Sequence, residues 1–430
     1  MKETGRRLLG VRRKFLQRGY EHRFMQKPKG SLALTFRNHS QLCEPNSGIS
    51  FAKPRTYSVR YITLGSFALS LENPQQMNRI AFLTLFSMAF SSTMAQSDVV
   101  IDWNSTLSDV LLSNTTLQNP GMASRSMAMM NLAIYDAGNG VSPSHEQFYV
   151  HAAAPANASY DAAASQAAYT VLSSIYTDAP TRLILDSQLA TSLAAIPDGI
   201  AKTNGIGYGS LVGTNVLNAR TSDGFSNTVN YTPQSAVGHW EPDPLNPTQE
   251  AWGPQWGNLK TFGIADTNTF MAPPMPSLTS VEYADAFNEV MSLGAKTSTT
   301  RTADQTEVAL FWAFDRLGIG TPMRMYNKIM RDISVQEGNT TEENARMFAM
   351  ASTAIADAGI TAWDAKFRYD FWRPITGIRR ADEDGNPLTI ADPDWEPLGA
   401  PGGIAPDGTL IPDFTPPFPT YMSYYQKLCS

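Results

Sequence analysis

The sequence predicts an all-α fold. Three observations carry this: long Ala-, Leu- and Met-rich runs whose apolar residues fall three and four apart, helix-start signals ahead of them, and no alternating apolar/polar run that would make a strand. The 430 residues are enough for one large domain or two smaller ones. Neither a tandem repeat nor a domain linker interrupts the body.

From Gly121 onward the pattern is predominantly helical. MASRSMAMMNLAIYDAG (residues 122–138) reads as a buried helix closed by Gly138. Residues 160–176 and 181–196 are amphipathic, with Asp178-Ala179-Pro180 as the turn between them, and 206–220 is a third such segment. Residues 227–270 form a long polar loop rich in Pro and Trp, and helices return at 281–293, 303–317 and 322–333. The best-defined helix starts at Thr340, whose spacing to Glu343 is that of a capping box. From there Phe348, Ser352, Ile355, Gly359 and Ala362 make a stripe in steps of four and three, and Ala351 and Ala358 widen it. The next step lands on Lys366, with Arg373 seven residues further and Pro374 directly after it.

Charge divides the chain. Residues 1–76 hold fourteen Lys+Arg against four Asp+Glu, and the remainder nineteen against thirty-five, within an overall net charge of −6. An acidic body argues against a nucleic-acid role. MNRIAFLTLFSMAFSSTMAQS, from Met77, looks like a secretory signal: Arg79, an apolar run over 80–90, and Thr93-Met94-Ala95 as a small-x-small cleavage site before Gln96. It is too short for a membrane span, and a buried core helix is the alternative. The expected organisation is a basic extension at 1–76, disordered, spurious or a targeting presequence; a signal-like segment at 77–95; a helical domain at 96–423; and an aberrant tail at 424–430. Secretion or periplasmic export follows only if translation starts at Met77. Cys43 and Cys429 flank a body without cysteine, so no disulfide framework, zinc site or thiol nucleophile is available there. Sequons at Asn104, Asn114, Asn157, Asn230 and Asn339 matter only if the source glycosylates secreted proteins.

Seven residues turn an α-helix through about 700°, which returns Arg373 to the face of Lys366. Two buried like charges are costly unless an anion compensates them, and Arg offers oxyanions a planar fork while Lys offers a point charge. Pro374 breaks the helix and leaves Arg373 at its end. Asp370, four residues from Lys366 and three from Arg373, could instead make both part of an ordinary ion-pair ladder.

The Lys-x6-Arg-Pro pattern, with DAKFRYDFWRPITGIR (364–379) around it, resembles the first motif of the vanadium-dependent haloperoxidases. That family shares a superfamily with type 2 phosphatidic-acid phosphatases and bacterial acid phosphatases. SRSMAMMNLAIYDA (124–137), VALFWAF (308–314) and DPDWEPL (392–398) are similar to the secreted haloperoxidase branch. The resemblance implies a helical bundle of the haloperoxidase/acid phosphatase type, lacking its C-terminal helices, with vanadate held by Lys366 and Arg373. In PPFPTYMS the second motif matches up to Ser423, whose hydroxyl and amide would contact the oxyanion. Tyr424-Tyr425 then stand where Gly-His belongs, and no Arg-x5-His occurs anywhere in the sequence. The intact family oxidises halide with hydrogen peroxide. This chain is expected to be a truncated, inactive form, with no catalytic residue and no directly coordinated metal. An acid-phosphatase-like phosphomonoesterase and a non-enzymatic helical binding protein are the alternatives. His239, in GHWEP, is read as structural.

Overall fold

The computed structural model describes residues 98–113, 119–312, 321–400, 402 and 415–420. The chain divides into two units, Met1–Ala95 and Gln96–Ser430, and every described residue lies in the second. The expectations for 1–76, for 77–95, for Ser423 and for the 424–430 tail all fall outside the described residues.

Ten α-helices occur among the described residues: α1 Val99–Ser113, α2 Pro120–Val141, α3 Tyr160–Ile175, α4 Ala179–Ala194, α5 Ile200–Ala219, α6 Val281–Gly294, α7 Ala303–Trp312, α8 Pro322–Glu337, α9 Thr341–Tyr369 and α10 Pro374–Arg379. Their starts follow local chemistry. Asn119, Ser159, Asp178, Ser280, Thr321 and Thr340 each accept a hydrogen bond from a first-turn amide, and Pro occupies the first turn of α2, α4 and α8. The capping box of α9 is reciprocal: Glu343 N–H donates to Thr340 Oγ1 at 3.2 Å, and Thr340 N–H donates to Glu343 Oε2 at 2.8 Å. Extended backbone among the described residues is limited to isolated bridges, so the all-α expectation holds.

Helix α2 is the axis of the bundle. Met127, Ala128, Met130, Ala133, Ile134 and Ala137 are inaccessible, and α1, α3, α5, α8 and α9 pack around it. It does not stop at Gly138 but runs on to Val141. A Cβ on Gly138 would lie 2.4 Å from the Tyr160 hydroxyl, so that glycine admits a neighbouring ring rather than ending the helix. Helix α1 precedes the point at which the sequence reading began its helices. Its apolar face, Trp103, Leu107, Val110 and Leu111, is fully sunk in the main core.

The deepest line along α9 is Ala345, Phe348, Ala349, Ser352, Ala356 and Ile360; it shares Phe348 and Ser352 with the expected stripe and runs one position beyond it thereafter. Ile355, Gly359 and Ala362 are only half-buried, and Ala358 is exposed. Contact with α2 selects this face, and small residues beside it give no strong signal of their own.

A second, smaller core joins Tyr283 and Phe287 of α6 to Phe371, Trp372, Ile375, Ile378 and Trp395. The stretch between α9 and α10 therefore crosses from one core to the other. No helix among the described residues is long and apolar enough to cross a membrane.

Candidate functional site

Lys366 stands in the last turn of α9, and Arg373 is not on that helix at all. The helix ends at Tyr369, Asp370 takes a left-handed conformation (φ 48°), and Arg373 is the N-cap of α10 ahead of Pro374. One continuous helix with both cations on its face is thus corrected. The two still converge, because the reversal at Asp370 folds the chain back. Lys366 Nζ lies 5.0 Å and Arg373 Cζ 5.7 Å from the centroid of the same ring, Phe418.

Packing on three sides makes that convergence. The short 3-10 turn Trp256–Asn258 presses on α9, where a Cβ on Gly257 would come within 2.4 Å of Asp364 Cα. Trp252 meets Trp363 edge-on at 5.3 Å, and Trp363 meets Phe418 at 5.0 Å. Trp363 is three residues before Lys366 on the same face, with Lys366 Nζ 5.6 Å from its centroid. The Pro-rich stretch is carried in by backbone bonds: Trp252 N–H donates to Pro417 O at 2.7 Å, and Thr420 N–H donates to Phe371 O at 2.9 Å. Phe371 also bridges His239 on its other side, and Trp372 N–H donates to Gly238 O at 3.0 Å.

The electrostatics of Lys366 are unusual. The residue is 9% exposed, and among the described residues its ammonium makes no hydrogen bond and no ion pair. Burial, and then the positive charge of Arg373, push its pKa from the ordinary 10.5 down to about 7. A shift of that size corresponds to on the order of 5 kcal/mol against the charged form. Cation–π contact with two rings, about 2 kcal/mol each for a desolvated cation, returns only part of that. The charged form therefore carries a deficit that an anion would offset.

Asp370 does not form the ion-pair ladder with Lys366. Its carboxylate accepts from the Tyr231 hydroxyl through Oδ1 and from His239 Nδ1 through Oδ2, the latter at 2.9 Å. Burial first, then the hydrogen bond to Asp370, push the Tyr231 pKa well above its ordinary value, so the hydroxyl remains a donor. His239 accordingly ties the polar loop to the end of α9. His145 lies on the loop after α2, away from the pair, and His22 and His39 are outside the described residues. The described residues contain no cluster of metal-ligating side chains.

Two features of this site escaped sequence reasoning. Trp363 and Phe418 form the walls around Lys366; the three-residue spacing of Trp363 was a usable signal, whereas Phe418 is 52 positions away. The Tyr231–Asp370–His239 contact spans more than 130 positions and has no sequence signature.

Elsewhere, buried charge serves the scaffold. Asp223 Oδ2 accepts from Arg125 Nε at 2.8 Å and from Arg220 Nε at 3.0 Å, and Arg220 also donates to the carbonyls of Lys260 and Thr261. Asp357 accepts from the amides of Phe262, Gly263 and Ile264, holding the loop against α9.

Residues 346–430 match the family model described as the second helical-bundle domain of VCPO. The chain is 38% identical over 198 residues to the vanadium chloroperoxidase of Curvularia inaequalis, covering 42% of this chain and 31% of that protein. It thus spans under a third of the length of that curated relative. Its fold is similar to a bacterial vanadium-dependent iodoperoxidase, with a TM-score of 0.59 and 18% identity over 75% of this chain and 76% of that one. An apo bacterial vanadium-dependent chloroperoxidase superposes at a TM-score of 0.49 with 16% identity, over 62% and 66% of the respective chains.

Proposed function

We propose that the chain belongs to the vanadium-dependent haloperoxidase family and that Lys366 and Arg373 bind a tetrahedral oxyanion, vanadate in the setting of the family. The observation that carries this reading is the buried Lys366 ammonium, which lacks a counter-ion among the described residues and faces the same Phe418 ring as Arg373. Two cations in a water-poor, aromatic-walled corner fit a multiply charged oxyanion better than a halide, since only the former can bridge a fork and a point charge. Ser423 adds a hydroxyl and an amide in this proposal. Bound vanadate would supply the centre at which hydrogen peroxide is activated toward halide. The chain's own part is to neutralise the anion, orient its oxygens and keep water off one face through Trp363 and Phe418.

The 430-residue polypeptide taken by itself has Tyr424-Tyr425 after Ser423 and no Arg-x5-His. Tyr424-Tyr425 offer no imidazole where the family's second motif carries its proton-moving histidine. We propose that, with Tyr424-Tyr425 in place of the second motif's Gly-His, these residues bind an oxyanion without oxidising halide. Export rests on the pattern of Arg79, residues 80–90 and Thr93-Met94-Ala95 alone, and N-terminal sequencing of secreted protein tests it.

Calorimetric titration with vanadate and with phosphate, on the wild type and on Lys366→Met, tests the main reading. Saturable binding that Lys366→Met weakens at least tenfold is expected. Equal binding by both proteins refutes the assignment of Lys366. Bromide and peroxide assays with and without vanadate test the second part, which vanadate-dependent bromination would overturn. Turnover of a phosphomonoester through the same pair would move the reading to the phosphatase branch of the superfamily, and no oxyanion binding at all would leave a helical binding protein.

A further inference from the structure

Between Lys366 and Arg373 the chain carries one acidic residue, Asp370, and the fold keeps it away from Lys366. A carboxylate four residues from a lysine is normally its ion-pair partner. Here Tyr231 and His239 occupy one oxygen each, and the Asp370 side chain is only 10% exposed. The residue also shapes the reversal: it sits at φ 48°, its N–H donates to Lys366 O, and its carbonyl accepts from Trp240 N–H at 2.9 Å. Tyr231 is itself wedged, edge-on to Phe367 at 5.1 Å and tilted on Trp240 at 5.8 Å. The neighbour of Asp370, Phe371, sets the register of Thr420 through a backbone bond, and Phe418 lies two residues upstream.

We propose that Tyr231 and His239 are positioning residues for the cation pair: by holding both oxygens of Asp370 they withhold the segment's own carboxylate from Lys366 and lock the left-handed turn that brings Lys366 and Arg373 over Phe418. This deepens the oxyanion reading above and rests on it for its purpose, though the withholding itself needs no anion. The loop 231–240 thereby keeps Lys366 available for an external anion. The charge that Lys366 faces among the described residues is that of Arg373, so a released Asp370 carboxylate would change its surroundings decisively.

The test uses the full chain with Tyr231→Phe/His239→Phe, and the same pair combined with Asp370→Asn. Phenylalanine keeps the ring packing and removes only the donors, and asparagine tolerates the left-handed turn without the charge. Two readouts are taken: the titration of the Lys366 amine by nitrogen-detected NMR without any anion, and the affinity for sulfate. In the donor-less pair, the Lys366 amine should titrate at least one pH unit higher and sulfate should bind at least tenfold more weakly. Adding Asp370→Asn should return both toward wild type, a rescue that a merely structural role would not give. A Lys366 titration unchanged in the donor-less pair overturns the proposal, as does failure of Asp370→Asn to restore it. Should the donor-less pair fail to fold, Tyr231→Phe alone carries the same measurements, with the same shift expected and the same null result overturning the proposal. If the wild type binds no oxyanion, the functional reading fails while the amine titration still decides this inference.

Discussion

Lys366 Nζ and Arg373 Cζ face one Phe418 ring, 5.0 and 5.7 Å from its centroid, although Lys366 closes one helix and Arg373 opens the next. Arg373 has the buried Asp243 carboxylate within electrostatic reach, whereas Lys366 has no negative partner among the described residues, so its charge is a cost to the fold unless an anion joins it. That relationship leads to two predictions.

The first is that Lys366→Met stabilises the anion-free protein at pH 6 by about 1–4 kcal/mol, because a flexible apolar chain replaces a buried cation that has no partner among the described residues. The sign with pH follows from the depressed pKa. Between about 7 and the ordinary 10.5 the unfolded chain binds more protons than the folded one, so wild-type stability rises with pH across that window. Urea unfolding at pH 6, 7.5 and 9 should show this rise in the wild type and its loss in Lys366→Met.

Anion binding should run the other way. Sulfate stays a dianion throughout, so its affinity tracks the protein's own protons. Affinity is expected to fall as pH rises through about 7, where Lys366 loses its charge, and to level off with Arg373 alone. Calorimetry at pH 6 and 8.5 checks this, and equal affinity at both would exclude Lys366 as a ligand.

Gly257→Ala probes how closely the loop presses on α9. Its Cβ would fall 2.4 Å from Asp364 Cα, a backbone atom that cannot swing aside. A loss of about 1–3 kcal/mol is expected from thermal unfolding, along with weaker sulfate binding as the Trp252 and Trp363 walls shift.

Asp223→Asn should be among the most damaging substitutions. It leaves Arg125 and Arg220 buried around a neutral group, for a cost of about 3–5 kcal/mol, with no direct effect at Lys366. Denaturant unfolding measures the loss; a change below 1 kcal/mol would show that the backbone carbonyls of residues 220, 260 and 261 suffice to hold both guanidiniums.

The sequence by itself determined what is local. Thr340 and Glu343 announce the start of α9 because a capping box is a contact between residues three apart. The apolar run of α2 announces a buried axis, since nothing in it suits water. Lys366, Arg373 and Pro374 suggested the cation pair by their spacing, and the resemblance of the flanking residues singled it out. Even there the physical argument was wrong in one respect, since the pair is joined by a left-handed turn rather than by helical rotation. The tertiary structure decided what depends on distant partners. Asp370 could be a ladder carboxylate or a hydrogen-bonded turn residue with equal right in the sequence, and Tyr231 and His239, more than 130 positions upstream, chose the second. Phe418 became the ring beneath both cations because Trp252 and Phe371 hold the stretch around it by backbone bonds to Pro417 and Thr420. Whether a buried charge is compensated is a property of its surroundings in space, and those surroundings exist only once the chain has closed around it.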